Sequence, residues 1–384
     1  MDSLASLVAS RRVLVCIGTG GVGKTTISAA LGLAAAQQGR RALVLTVDPA
    51  RRLANALGLA ALDEHVRRID VAAFAAEGCE VTAPLDAAML DVKRMFDRVV
   101  ERHSPSEAVR DRILAHPFYR QASTALAGSQ EYMAMERLFE AATSGEHDLV
   151  VLDTPPAEHA LEFLESPSRL VDLFDSAAFR MLVAKTGSRG RSSAFRPGSL
   201  VMRGLSRFTS GEMFGNLLEF FSDMSATFDG FVERARQVRA LLHGPDTAFV
   251  IVAACDRGSA AEAIALRRQL STEGYSVGAL VLNRAAPYGD LGPDVAPVIE
   301  AARSLLRREA SQQQERTRSL ATAWATSAHQ LSRIAAQDAA VVASTRAAFG
   351  VAARVAMVPR LADEPDSLRK LADVARFLAA TGPL

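Results

Sequence analysis

The stretch VLVCI at 13–17, followed by Gly18-Thr19-Gly20-Gly21-Val22-Gly23-Lys24-Thr25-Thr26, constrains this chain's fold more than any other. Gly18-x4-Gly23-Lys24-Thr25 has the spacing G-x-x-x-x-G-K-[ST], between an apolar run and a helix pattern. A glycine-rich turn there lets backbone N–H groups wrap a phosphate, and the helix N-terminus adds positive potential. The reading places Gly20, Gly21, Val22, Gly23, Lys24, Thr25 and Thr26 around a nucleotide's phosphates. Lys24 reaches the β- and γ-phosphates, and the Thr25 hydroxyl ligates Mg²⁺. The competing reading is a chance glycine-rich turn, which needs neither the strand before it nor the helix after it.

Five further apolar runs resemble the one before the loop. They are ALVLTVD (42–48), DLVVLD (148–153), AFVIVAAC (248–255), GALVLN (278–283) and RVAMVP (354–359). Continuous Val/Ile/Leu runs suit strands covered on both faces, as in a parallel sheet. After Lys24, residues Ile27, Ala30, Leu31 and Ala34 follow helical spacing, and Gly39 is a stop. Strand and helix alternate along the chain, which predicts an α/β fold: a doubly wound, mostly parallel sheet of the P-loop type with a deviant phosphate loop. The chain reads as one P-loop domain over 1–384. Stretches 84–145 and 160–245 read mainly as helices and predict an inserted helical subdomain. Within it, 186–199 is rich in Gly, Ser and Arg and predicts a mobile loop. Residues 298–349 lack Gly and Pro and predict a long helix pair.

Two acids end strand runs. Asp48 opens DPARRLANAL, where Asp then Pro suits a helix start; functionally it orients the attacking water near Mg²⁺. Asp153 ends its run in the position that holds a magnesium water, with a helix cap as the alternative. Asn283 ends GALVLN, where its amide matches an adenine edge or simply makes a turn. No N-K-x-D guanine-reading motif is present, so ATP is expected rather than GTP.

Composition narrows the class. Of 384 residues, 49% are hydrophobic and 23% charged, enough to bury a core. Lys and Arg number 44 against 43 Asp and Glu, a balance that argues against a nucleic-acid partner. Cys16, Cys79 and Cys255 are far apart and form no C-x-x-C, so neither a disulfide framework nor a thiolate zinc site is expected. The first residues do not read as a signal peptide, and no run is long enough to span a membrane. The expected location is the cytoplasm, peripheral to a membrane only through a partner.

Four blocks in order, GTGGVGKTTISAALGLA, LTVDPARRLANALG, LDTPPAEHALEFLESPSRL and LVLNRAAP, together resemble the ArsA-type ATPases. That family includes bacterial arsenite-efflux ATPases and the ATPase that delivers tail-anchored membrane proteins. Within it the chain looks most like the bacterial anion-transporter ATPases. D-T-x-P-x-x-H-x-L-x-x-L (153–164) matches the family's second switch, and GSQEYMAMERLF (128–139) resembles the segment before it. The resemblance implies a Mg²⁺-dependent ATPase whose nucleotide-bound dimer opens and closes, coupling hydrolysis to the helical subdomain. It implies catalysis by Lys24 and Asp48, metal ligation by Thr25 and Asp153, and adenine reading by Asn283.

Departures from the family open alternatives. Thr19 stands where the family's signature lysine reaches across the dimer to the partner's phosphates. Arg51 replaces a common His, and Asn55 a common Asp. The chain therefore reads either as a homodimeric ATPase or as a slow switch or scaffold subunit paired with a related, lysine-bearing ATPase. As an alternative to the paired subunit, a local arginine, Arg51 or Arg52, substitutes for the missing charge, unless both simply coat a helix surface. An arsenite or anion-pump subunit is a further alternative, without a cysteine cluster to serve it. So is a partition-type ATPase, against which stand the charge balance and an only weakly basic segment at 366–380, expected to pack on the sheet. Residues 161–232 hold ten of the 17 phenylalanines and four of the ten methionines. EMFGNLLEFFSDM (212–224) puts Met213, Leu217, Phe220, Phe221 and Met224 on one helical face. That face is either ordinary core or a groove for an apolar-helix or membrane-protein client.

Overall fold

The computed structural model describes residues 4–48, 52–59, 61–76, 79–117, 119–120, 129–155, 160–176, 220, 230–286, 304, 314–350, 354–361 and 368–379. Eight strands form one sheet: β1 (Val13–Ile17), β2 (Ala42–Thr46), β3 (Arg67–Arg68), β4 (Leu85–Met89), β5 (Leu149–Asp153), β6 (Thr247–Ala254), β7 (Val277–Ala285) and β8 (Arg354–Pro359). Their order is β3-β4-β2-β5-β1-β6-β7-β8. β1 pairs in parallel with β5 and β6, β5 with β2, β6 with β7 and β7 with β8, whereas β3 and β4 pair antiparallel. Every residue of β1, β2 and β5 is buried, which is why these strands read as unbroken apolar runs.

The chain divides into two compact units. The first comprises Met1–Ala88, Glu146–Glu158 and Pro245–Leu384 and contains the sheet. Its helices are α1 (Leu4–Ser10), α2 (Lys24–Gln37), α3 (Arg52–Ala56), α4 (Val71–Ala76), α10 (Arg257–Thr272), α11 (Gln314–Phe349) and α12 (Leu368–Ala379). α2 lies on β2 and β5 and is itself covered by α1 and α12. Ile27, Ala30, Leu31 and Ala34 are buried as their spacing predicts, but so are Ala29, Leu33, Ala35 and Ala36. A helix covered on both sides needs small residues all round, and its sequence supplies them. α12 buries Leu371, Ala372, Val374, Ala375 and Leu378 against α2 and β8, the packing role expected of that segment.

One boundary differs from the sequence reading. Leu85–Met89, expected within a helical stretch from 84, is strand β4. Its sequence, LDAAM, puts an acid inside the strand. Asp86 is buried, with its carboxylate 3.0 Å from His147 Nε2 and accepting from Arg68 Nε at 2.8 Å. Burial pushes this carboxyl up, but the His147 and Arg68 bonds outweigh it and hold it below the usual carboxylate range. Of the expected helix pair at 298–349, α11 forms one helix of 36 residues; 298–303 and 305–313 lie outside the described residues.

The second unit comprises Met89–Gly145 and His159–Gly244. It holds α5 (Val92–His103), α6 (Glu107–Ala115), α7 (Ser129–Thr143), α8 (Ala160–Asp175) and a helix over 230–243, α9. Asp91 and Ser106 cap α5 and α6 by accepting backbone N–H groups of Arg94 and Val109. α7 buries Tyr132, Met133, Met135 and Leu138. Glu136 is fully buried among them and pairs with Arg234 (2.9 Å) and Arg102 (3.5 Å). Burial still holds its carboxyl above the usual range, despite the pull of both arginines. Of the Met- and Phe-rich face at 212–224, only Phe220 falls among the described residues, buried with Val100, Ile113 and Tyr119. The expected mobile loop at 186–199 lies outside them.

Gly32, midway along α2, marks how closely that helix sits on the sheet. A Cβ there would stand 2.4 Å from Val44 Cγ2 and 3.1 Å from Leu85 Cδ1. Gly32→Val should therefore lower the unfolding free energy by about 1–3 kcal/mol, the usual cost of overpacking. Urea unfolding measures it, and an unchanged midpoint would mean α2 is not seated this tightly.

Candidate phosphate-binding site

The carboxyl ends of β1, β5 and β2 lie in register: Cys16 pairs with Asp153, and Asp153 with Thr46. In a doubly wound sheet this edge is where ligands bind. The loop after β1 runs through Gly18 to Gly23 and turns directly into α2 at Lys24. Gly23 makes that turn with φ 95°, in the left-handed region that favours glycine. Gly20 and Gly21 are exposed, while Val22 is buried. The loop thus offers backbone to solvent on one side and is anchored on the other.

Lys24 closes the loop on itself. Its ammonium donates to the carbonyl oxygens of Gly18 (2.8 Å) and Thr19 (2.9 Å). Burial holds the Lys24 pKa below its ordinary value, against the attraction of Asp153. The Thr25 hydroxyl donates to Asp153 Oδ2 at 2.8 Å, and the Thr46 hydroxyl donates to the same oxygen at 3.0 Å. Asp48 follows: its backbone N–H donates to Thr46 Oγ1 at 3.2 Å, and its carboxylate lies 3.6 Å from Arg52 Nη1. Thr25, Asp153 and Asp48, expected from their motifs, are therefore joined through Thr46 and the Asp153 carboxylate, while Lys24 is bonded to the loop's own carbonyls. Arg51 and the two residues before it lie outside the described residues.

Thr46 is a member of this network that the motifs do not reveal. It is 2% exposed at the tip of β2. The signal was a lone hydroxyl residue ending an apolar strand two positions before an acid. Thr154 completes the floor, donating from its hydroxyl to the Cys16 carbonyl at 2.7 Å. Burial pushes the Cys16 thiol up to about 12, so it is an inert part of that floor.

Asn283, expected to read an adenine edge, lies at the carboxyl end of β7 beside the phosphate loop. Its Nδ2 donates to the Val22 carbonyl at 2.8 Å, and its Oδ1 accepts from Arg284 N at 2.9 Å. The amide lies against the phosphate loop, 2.3 Å from where a Cβ on Gly23 would stand. One amide hydrogen and one oxygen lone pair remain beyond these bonds.

The donor set fits a nucleotide phosphate with a hard divalent cation. Asp153 Oδ1 is buried and has no hydrogen-bond partner, which is costly for a carboxylate unless a cation or a cation's water completes it. Thr25 and Asp153 could hold that ion, and Lys24 with the loop N–H groups could hold phosphate oxygens. Among the described residues no helix is long and apolar enough to cross a membrane.

Comparison with known proteins agrees with this chemistry. Residues 11–291 match the profile of the anion-transporting ATPases. The chain is 31% identical over 163 residues to a protein named ATPase GET3 from Malassezia globosa, covering 42% of this chain and 44% of that one. It is 28% identical over 165 residues to a protein of Prosthecochloris vibrioformis named for an arsenical pump-driving ATPase, covering 41% and 36%. A protein named ATPase GET3 from Mycosarcoma maydis is 26% identical over 270 residues, 70% of each chain. The first two matches thus span less than half the length of those relatives.

Burial raises the Asp153 carboxyl to about 6, from an unperturbed 3.8, with the Thr25 and Thr46 bonds only partly offsetting it. The metal-free folded chain therefore holds a proton that the unfolded chain has lost between those two values. Stability is fully present below the lower value and falls as pH rises through the higher one, by roughly 3 kcal/mol over the window. Unfolding measured in EDTA should show this fall, and Asp153→Asn should flatten it. An equal slope in the variant would assign the proton elsewhere.

Proposed function

Because the chain belongs to the anion-transporting ATPase family, we propose that it binds Mg²⁺·ATP in the loop of residues 18–26 and hydrolyses it to ADP and phosphate. The reading extends to a dimer that opens and closes with the nucleotide and to a client of apolar-helix or membrane-protein character on the helical unit. What carries it is the cluster in which Thr25 and Thr46 share one oxygen of Asp153 behind the Lys24 loop.

A bound Mg²⁺ would supply charge neutralisation to the nucleotide's phosphates. Lys24 gives up the Gly18 and Thr19 carbonyls and pairs with the phosphates, a better partner for a buried ammonium. Thr25 and Asp153 hold the ion, and Thr46 fixes the rotamer of Asp153. Asp48 orients the attacking water and accepts its proton. Gly20, Gly21, Val22, Gly23 and Thr26 supply backbone N–H groups, and Asn283 uses its remaining amide hydrogen and lone pair on the base.

A second reading rests on Thr19 and Arg52. Thr19 offers Lys24 a backbone carbonyl but brings no charge. Arg52 is 70% exposed beside Asp48 and is a cation near the site able to substitute. If neither Arg52 nor Arg51 serves, the chain is a slow switch or scaffold subunit that pairs with a related lysine-bearing ATPase. An arsenite-pump role has less support, since Cys16, Cys79 and Cys255 are all buried and unpaired with one another.

Lys24→Ala should cut Mg²⁺·ATP turnover by about 10²–10³-fold with the circular dichroism spectrum unchanged. A folded variant with full turnover would remove the ATPase reading. Arg52→Ala and Thr19→Lys then separate the two readings. Fast turnover that collapses in Arg52→Ala identifies the substitute cation, worth up to about 10³–10⁵-fold in comparable sites. Slow turnover that rises in Thr19→Lys identifies the paired subunit.

A further inference from the structure

Among the described residues, one non-glycine residue has a positive φ: Arg284, at 61°. A side chain in that region costs about 1–2 kcal/mol and persists only where its surroundings fix it. Arg284 lies where the β7–β8 register slips between Asn283 and Ala285. Two side chains hold the turn from opposite ends. Asn283 Oδ1 accepts from Arg284 N at 2.9 Å, and Asp338 Oδ2 accepts from Ala286 N at 2.7 Å. Asp338 belongs to α11, whose Val341 packs with Ala285, Cys255 and Ala260.

The same Asn283 amide faces the phosphate loop. Its Nδ2 donates to the Val22 carbonyl, and the Asn283 carbonyl accepts from Cys255 N at 2.9 Å. The loop's last turn, at Gly23, has no room for even a Cβ beside this amide. The path from α11 to the phosphate loop is therefore short and fully bonded: Asp338 to Ala286 N–H, the left-handed Arg284, the Asn283 amide and the Val22 carbonyl.

We propose that Asp338 is a positioning residue for the phosphate loop, holding the strained Arg284 turn so that the Asn283 amide stays on the Val22 carbonyl. A carboxylate accepting from a backbone N–H makes a charge-assisted bond, stronger than a neutral one, which suits a contact that must offset backbone strain. The consequence for affinity rests on the nucleotide reading above; the consequence for loop order does not.

Two readouts test it: affinity for Mg²⁺·ADP by calorimetry, and hydrogen exchange of amides 20–26 in the nucleotide-free chain. Asp338→Ala should weaken Mg²⁺·ADP by about tenfold and speed exchange at 20–26, an effect of one lost bond. Asp338→Asn, which keeps an acceptor, should stay within about threefold of the unaltered chain. Adding Arg284→Gly to Asp338→Ala should restore both readouts, because glycine adopts the turn without being held. Unchanged exchange and affinity in Asp338→Ala would overturn the proposal, as would a loss that neither Asn nor Arg284→Gly restores. If Asp338→Ala does not fold, the test passes to Asp338→Ser, whose hydroxyl oxygen is one bond shorter and falls short of Ala286 N. That variant's exchange at 20–26 should exceed that of the unaltered chain and return on adding Arg284→Gly, and no change in either would overturn the proposal. If the unaltered chain takes up no Mg²⁺·ADP, the nucleotide reading fails, while the exchange comparison still decides the relay.

Discussion

A buried carboxylate organises this site. Asp153 sits at the tip of β5, 1% exposed, with one oxygen shared by the hydroxyls of Thr25 and Thr46 and the other without a protein partner. Burying a carboxylate is expensive, and two neutral hydroxyl bonds only partly offset it. The sheet meets that cost because β1, β5 and β2 run parallel and in register, which brings the first turn of α2 and the end of β2 to the same oxygen. The phosphate loop follows from this arrangement. It spans from β1 to α2 and must end where Thr25 can reach Asp153.

The loop is already assembled, and its polar groups are held by one another. Lys24 is on the Gly18 and Thr19 carbonyls, Thr25 is on Asp153, and Asn283 backs Val22. The Lys24 and Thr25 bonds each join a group that a phosphate or a cation could take to a protein group that can release it, while the Asn283 bond holds the back of the loop in place. A ligand therefore meets an ordered cradle and does not have to order a flexible loop, which reduces the entropic cost of binding.

Much of this was legible in the sequence, for physical reasons. Val13–Ile17, Ala42–Thr46 and Leu149–Asp153 are covered on both faces, so their apolar runs announced the strands and placed Asp153 at a strand end. The spacing of Gly18, Gly23, Lys24 and Thr25 announced the loop. β4 was not legible, because its buried Asp86 is satisfied by His147, 61 residues away. Nor was the setting of Asn283, whose partner Val22 lies 261 residues away. Thr46 was hidden because a hydroxyl at a strand end carries no motif. What escaped the sequence is contact between distant segments, which local pattern does not encode.

The most direct measurement is a crystal structure of the chain with Mg²⁺ and ADP. The nucleotide's phosphates should lie in the loop of residues 18–26, with Lys24 Nζ moved from the Gly18 and Thr19 carbonyls onto a phosphate oxygen. The ion should sit at Thr25 and Asp153, with the direct bond between those two side chains opened. Nucleotide bound elsewhere, with Lys24 still on the two carbonyls and Thr25 still on Asp153, would contradict this assignment of the site.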